Sequence, residues 1–259
     1  MLEEVETAAV AAPSDRLREV YERRAELQYA RPVPLPDPRV DRKFERMVAL
    51  VAEHLPAESL LDAGCGDGRF LAAVARLPEP PALLAGTDIS ERILETARET
   101  VRREGGAAEL VRANLEALPF PDEAFDLVLS VQVIEHVLDA SRAIRELARV
   151  LRPGGRLILS TDSSHNLVSR ALNAPRSLAV RALRLRGRRA AVIFPHRSFG
   201  LDEITDLVTV GGLTVERRET FRFHLDGVGS PVVQRALNRV DRALAPHDLG
   251  DIVAVVARR

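Results

Sequence analysis

Leu60-Leu61-Asp62-Ala63-Gly64-Cys65-Gly66-Asp67-Gly68-Arg69-Phe70-Leu71-Ala72-Ala73-Val74 is the stretch on which the fold turns. It opens as a short apolar run of strand length, carries glycine at every second place through Gly64, Gly66 and Gly68, and continues as a helical pattern. Glycines let the main chain turn sharply and let a ligand approach it, while the following helix start offers free N–H groups. The dinucleotide fingerprint needs glycine at the first, third and sixth places. Counted from Gly64 the sixth place is Arg69, and counted from Gly66 it is Leu71, so neither register fits. No Gly-Lys-Ser/Thr follows, which excludes the phosphate-loop pattern. Asp62 stands just before the turn, where a carboxylate suits a ligand carrying an ammonium better than one carrying a pyrophosphate.

Working downstream, Gly86-Thr87-Asp88-Ile89-Ser90 ends the next apolar run. An acid at that strand end can accept hydrogen bonds from both hydroxyls of a ribose. Short apolar runs then alternate with helical stretches, the pattern of βαβ units on a parallel sheet. Strands are expected at 59–63, 82–87, 108–112, 125–131, 156–161, 213–221 and 251–257, seven in all, with helices near 67–76, 90–104 and 139–151. Ser90 is the expected N-cap of the second of these helices and Gly105-Gly106 its stop. Pro153-Gly154-Gly155 is expected to separate the third helix from the strand after it.

Upstream, residues 14–29 read as a charged amphipathic helix with Leu17, Val20, Tyr21 and Leu27 on one side. Pro32, Pro34, Pro36 and Pro38 make an extended linker, because proline at every second place suits neither helix nor strand. A helix over about 39–54 follows. The expected division is therefore an N-terminal helix and proline-rich linker at 1–38 and one α/β domain at 39–259.

Composition bounds the rest. Among 259 residues, 46% are apolar and 29% charged, the balance of an ordinary globular protein, and aromatics are only 4%. A formal charge of −1 gives no global pull toward nucleic acid or membrane. The acidic start Met1-Leu2-Glu3-Glu4 is unlike a secretory leader, and no uncharged apolar run nears the ~18 residues that span a bilayer, so a cytoplasmic protein is expected. Cys65, the single cysteine, excludes an internal disulfide and a cysteine-ligated metal, and no metal is expected.

These residues together resemble the class I S-adenosylmethionine-dependent methyltransferases, in particular the ubiquinone and menaquinone methyltransferase-like (type 11) group. Residues 60–68 look like their first motif and Gly86–Ser90 like the acidic second one. Leu118-Pro119-Phe120-Pro121-Asp122 through Val128, Ile134-Glu135-His136-Val137 and Leu151-Arg152-Pro153-Gly154-Gly155-Arg156-Leu157 complete an ordered set of five. The resemblance is dense over about 42–161 and loose over 198–221. It implies a Rossmann-like α/β fold: seven strands, mostly parallel with one antiparallel, helices on both faces, an N-terminal helix and a helical lid insertion at about 163–199. It implies S-adenosylmethionine as cofactor. Asp62, Ala63 and the Gly64–Cys65–Gly66 backbone would hold the methionine part and Asp88 the ribose. Ile89 would pack on adenine, Asn114 and Leu115 would lie at its edge, and Ser130, Val131 and Gln132 would face the sulfonium. Asn114 stands where family members often carry Asp. Cys65 packs within the loop in such proteins and is not expected as a nucleophile. Radical use of S-adenosylmethionine needs a cysteine-held cluster, which one cysteine cannot supply.

A sulfonium methyl is already activated, so transfer needs chiefly alignment and exclusion of water. A base helps only for an acceptor that must lose a proton, and His136 is the catalytic candidate. Its competing reading is structural, a ring bonded to Glu135 or to backbone. Tyr21 and Tyr29 are candidates to cap the pocket, and equally to pack the helix onto the core. The insertion 163–199 holds Arg170, Arg176, Arg181, Arg184, Arg186, Arg188, Arg189 and Arg197 and no acidic residue, with Leu167, Val168, Leu172, Leu178, Leu183 and Leu185 interleaved. That pattern suits an anionic or lipid-like acceptor, or contact with an anionic membrane surface, and equally a solvated helical face. Nucleic acid is not expected as a partner, given the balanced charge and scarce aromatics. The expected function is methyl transfer to a small-molecule or lipid-like acceptor at O, N or C. The alternative is a non-catalytic S-adenosylmethionine-binding module acting through protein interaction.

Overall fold

The computed structural model describes residues 13–28, 34–37, 41–164, 196–221, 239 and 250–259. In chain order the elements are α1 (Pro13–Gln28), α2 (Arg42–Ala52), β1 (Ser59–Ala63), α3 (Arg69–Val74), β2 (Leu83–Asp88), α4 (Glu91–Arg103), β3 (Glu109–Arg112), β4 (Phe125–Val131), a 3-10 turn (Ile134–His136), α5 (Ala140–Val150), β5 (Leu151–Asp162), α6 (Leu201–Val210), β6 (Thr214–Phe221) and β7 (Ile252–Arg258). The strands form one sheet in the order β3-β2-β1-β4-β5-β7-β6. Pairing is parallel from β3 to β5, while β7 runs antiparallel to both β5 and β6.

Every residue of β1 is buried, as a central parallel strand covered on both faces must be. The period-two alternation sorts side chains between two cores. Leu61 and Val128 face one core with Ile144 and Leu147 of α5 and Ile204 and Val208 of α6. Leu60, Leu127 and Leu129 face the other, with Met47 and Leu50 of α2, Leu71 of α3 and Leu94 of α4. Helix starts are fixed locally: Asp41, Ser90 and Asp139 accept from the N–H of Phe44, Ile93 and Arg142 at 3.0, 3.2 and 2.9 Å.

One junction differs from the sequence expectation. β5 begins directly after α5 at Leu151, so Pro153-Gly154-Gly155 lies inside the strand. β4 advances from Phe125 to Leu127 while β5 advances from Leu151 to Arg156, which throws these residues out as a bulge. Gly154 takes φ +83° there, and Pro153, with no N–H to donate, is tolerated because the ladder is already broken. The bulge is pinned by Gly154 N–H to Arg259 O at 2.9 Å and Arg259 N–H to Gly155 O at 3.0 Å.

Helix α1 docks on α4. The Glu22 carboxylate accepts from the Ser90 hydroxyl and from the Glu91 N–H, both at 2.9 Å, and Glu26 pairs with Arg92 at 3.2 Å. At the other end of the sheet, the chain leaves β5 and returns at the same point. Ser164 N–H donates to Phe199 O and Phe199 N–H to Asp162 O, each at 3.0 Å. Tyr29, Arg170, Arg176, Arg181, Arg184, Arg186, Arg188 and Arg189 lie outside the described residues.

Candidate functional site

The strand order reverses between β1 and β4, and a cleft of about 440 Å³ opens at the carboxyl ends of the strands there. That is where open α/β sheets place their ligands, and the size suits a small-molecule site.

The glycine loop after β1 forms its floor. Gly64 and Cys65 both donate to Thr87 O, at 2.8 and 2.7 Å, which ties the loop to the end of β2. Gly64 takes φ +86°, and a side chain there would collide with Val133. Gly66, at φ +53°, has open space where a side chain would stand, so its main chain is presented to the cleft. Asp88 holds the turn from beyond β2: its carboxylate accepts from Gly66 N–H at 3.2 Å and from Ser90 N–H at 3.0 Å. Burial raises its pKa to about 6 against those bonds.

Asp62, at 1% exposure, lies beneath the loop with Oδ2 unpaired, and its pKa is pushed up to about 8 by burial and then by the charges of Asp88 and Asp67. Asp67 is itself held by Arg69 through two bonds of 2.8 and 2.5 Å. Burial also pushes the Cys65 thiol well up, and its Sγ packs toward Gly66 O at 3.9 Å, so it stays a thiol inside the loop.

Gly64, Cys65, Gly66, Asp88, Ile89, Asn114, Leu115, Val131, Gln132 and His136 all line the cleft. Asp62, Ala63 and Ser130 do not. Ser130 is fully buried and donates to Ala63 O at 2.9 Å, so it braces β4 against β1 rather than facing the cleft. Asn114 turns its amide oxygen to Glu116 N–H at 3.0 Å, leaving its NH₂ as the group to meet a ligand. Gln132 takes φ +58°, an uncommon backbone for a residue with a side chain, and its buried Nε2 has no hydrogen-bond partner.

At the β4–β5 end the structure assembles groups to which the sequence reading gave no catalytic part. The Glu135 carboxylate is bonded to the Thr161 hydroxyl at 3.0 Å and pushed up to about 8, chiefly by burial and also by Asp162. Asp162 ends β5 and accepts from His196 Nε2 at 2.9 Å. The His196 ring stands 5.3 Å from that of His136, which stands 6.0 Å from Tyr21 of α1. Asp162 was legible as an acid at the carboxyl end of a strand; His196, at the far end of the arginine-rich stretch, carried no such signal. Among the described residues, no group of three or more His, Cys, Asp or Glu is placed to hold a metal ion.

Residues 61–159 match a family model described as a methyltransferase domain. Over 102 residues the chain is 41% identical to the ubiquinone/menaquinone biosynthesis C-methyltransferase of Pasteurella multocida, covering 39% of this chain and 38% of that protein. The chain thus spans well under half the length of the curated relatives it matches. The fold is similar to that of an S-adenosylmethionine-dependent methyltransferase from Thermotoga maritima, with TM-score 0.60 and 21% identity over 93% of this chain and 99% of that one. It is also similar to the [4+2]-cyclase SpnF, with TM-score 0.56 and 23% identity over 83% and 81% of the two chains. The sheet order and the place of the cleft are therefore those of the class I, S-adenosylmethionine-dependent methyltransferase fold. Residues 61–159 match that methyltransferase-domain model, and this part of the chain is similar to the ubiquinone/menaquinone C-methyltransferases.

The cleft fits that cofactor on its own terms. Asp62, Asp67 and Asp88 converge on one loop, and burial first, then the charges of Asp88 and Asp67, pushes the protonation of Asp62 upward, so the loop favours a cation over a pyrophosphate. The open main chain at Gly66 and the Asp88 carboxylate complete the cradle.

Proposed function

We propose that the whole chain transfers the methyl group of S-adenosylmethionine to a small-molecule or lipid-like acceptor of anionic character. The observation that carries the reading is the carboxylate crowding around the glycine loop, which matches the ammonium and sulfonium of that cofactor. When bound, the cofactor supplies an activated methyl on a positively charged sulfur.

The chain's own residues hold and align. Asp88 accepts the ribose hydroxyls and the Gly64–Gly66 main chain receives the methionine part. Asp62, raised to about 8 in the empty loop, would ionise as the ammonium arrives and answer it from beneath the loop. Ile89 and Leu115 wall the adenine, with the Asn114 NH₂ at its edge. Val131 and Gln132 face the sulfonium. Helix α1 covers the cleft through Leu17 and Tyr21, which excludes water. His136 is the group from the sequence motif that stands at the transfer end.

The acceptor class rests on the insertion, which leaves and re-enters beside Asp162. Its composition of eight arginines with no acid favours an anionic acceptor, either free or presented at an anionic membrane surface. No described helix is long and apolar enough to cross a membrane.

The test has two parts. Calorimetry should show binding of S-adenosylhomocysteine and not of NAD. Methyl-labelled S-adenosylmethionine should pass label into a small-molecule or lipid extract of the source cell. Absent S-adenosylhomocysteine binding, or tight NAD binding, overturns the assignment.

A further inference from the structure

The order of strands across the sheet gives the order of parts along the cleft. Asn114 and Leu115 follow β3, Asp88 ends β2, and the glycine loop follows β1. A ligand laid adenine, ribose, methionine along those three strand ends points its departing methyl toward the tips of β4 and β5. There the structure places Asp162 and His196, brought together from opposite ends of the insertion. Both line the cleft and both remain exposed to it.

We infer that Asp162 and His196 form the base that takes the acceptor's proton, and that the acceptor atom is therefore one that must lose a proton, a hydroxyl or an acidic carbon. This rests on the methyl-transfer reading above. A carboxylate can only accept, so the 2.9 Å contact fixes the proton of neutral His196 on Nε2 and leaves the Nδ1 lone pair for chemistry. In the step, the acceptor–hydrogen bond breaks as the acceptor–carbon bond forms, and the proton passes to Nδ1. The carbon–sulfur bond breaks with its electron pair returning to sulfur. The cleft thus loses one positive charge at sulfur and gains one on the imidazolium, which Asp162 stabilises at contact distance. Its net charge is unchanged, so little reorganisation accompanies the transfer. The His136 ring stands 5.3 Å from that of His196, and Glu135, Lys43 and Asp41 at the start of α2, and Tyr21 of α1 line the same cleft.

The test uses the full chain with ¹⁵N-labelled histidine, saturated with S-adenosylhomocysteine, as wild type, Asp162→Asn and His196→Asn. The last variant assigns the ring. At about pH 8, where a free imidazole is neutral, the His196 ring is expected to carry its proton on Nε2, with that preference lost in Asp162→Asn. A ring protonated on Nδ1, or one indifferent to Asp162→Asn, overturns the proposal, and this arm needs no acceptor. In label transfer to the extract fraction that wild type methylates, His196→Asn is expected to lower turnover by about 10²–10⁴-fold. The KM for S-adenosylmethionine and the affinity for S-adenosylhomocysteine should not move. Near wild-type turnover in His196→Asn also overturns it. Failure of the wild type to bind S-adenosylhomocysteine refutes the methyl-transfer reading instead, so the two failures are distinguishable.

Discussion

Asp88→Asn separates what the site does for its ligand from what it costs the fold. In wild type the carboxylate would accept from two ribose hydroxyls while already holding Gly66 and Ser90. Bonds to a charged acceptor contribute about 1.5–3 kcal/mol each, and a neutral amide can replace only part of them, so a net loss of about 2–4 kcal/mol is expected. That is roughly 30- to 700-fold in S-adenosylhomocysteine affinity. The ligand-free protein should move the other way at high pH. The folded-state pKa of Asp88 is raised from 3.8 to about 6, so the folded state holds its proton more tightly than the unfolded chain. Ionised Asp88 therefore costs stability above pH 6, and the cost disappears as pH falls toward 4. The gap between 3.8 and about 6, at about 1.4 kcal/mol per tenfold, amounts to about 3 kcal/mol. The amide of the variant avoids that cost but sets an NH₂ against one of the two backbone donors, losing about 1–3 kcal/mol. Denaturant unfolding should thus find ligand-free Asp88→Asn slightly more stable than wild type near pH 8 and less stable near pH 5. Calorimetry should show wild-type affinity weakening as pH falls below about 6, and a flat response in the variant over the same span. Affinity within about threefold of wild type at pH 8, or a stability difference that ignores pH, refutes the reasoning.

Gly66→Ala meets no protein atom but sets a methyl where the ligand should lie. It should cost about 1–2 kcal/mol of stability from its φ of +53°, yet abolish measurable S-adenosylhomocysteine binding by calorimetry; intact binding would show that the loop is not the cradle. Glu22→Ala removes both 2.9 Å bonds that seat α1 on α4. Stopped-flow release of S-adenosylhomocysteine should quicken about tenfold, with Glu22→Gln intermediate, and an unchanged rate would mean α1 does not hold the ligand in. His136→Asn should keep ordinary cofactor affinity and measurable turnover, and a loss near 10⁴-fold with the fold intact would make His136 the base instead. Arg184→Glu with Arg188→Glu should raise the acceptor KM and abolish sedimentation with anionic vesicles, as added salt should, because exposed charges are screened over about 8–10 Å. Unchanged KM and no vesicle binding by wild type at low salt would reduce that stretch to a solvated face.

The sequence by itself determined what lies within a few residues along the chain. Strand, glycine turn and helix start are contiguous in 59–74, and Asp88 with its N-cap Ser90 is one turn, so backbone chemistry fixed them locally. Alternating runs gave seven strands and the helices between them because burial on a sheet face has period two and on a helix 3.6. Periodicity does not say which parity at a strand's end faces the cleft, so Ser130 was placed with Val131 and Gln132 although it turns inward to Ala63. It also does not reveal a bulge, which is why Pro153-Gly154-Gly155 read as a boundary and proved to lie within β5. Only the tertiary structure could join Asp162 to His196 across 34 residues, or Glu22 to Ser90 across 68. It alone set Asp67 and Asp88 close enough to raise the pKa of Asp62, since Coulomb interaction and desolvation depend on distance through space and burial, which chain order does not encode.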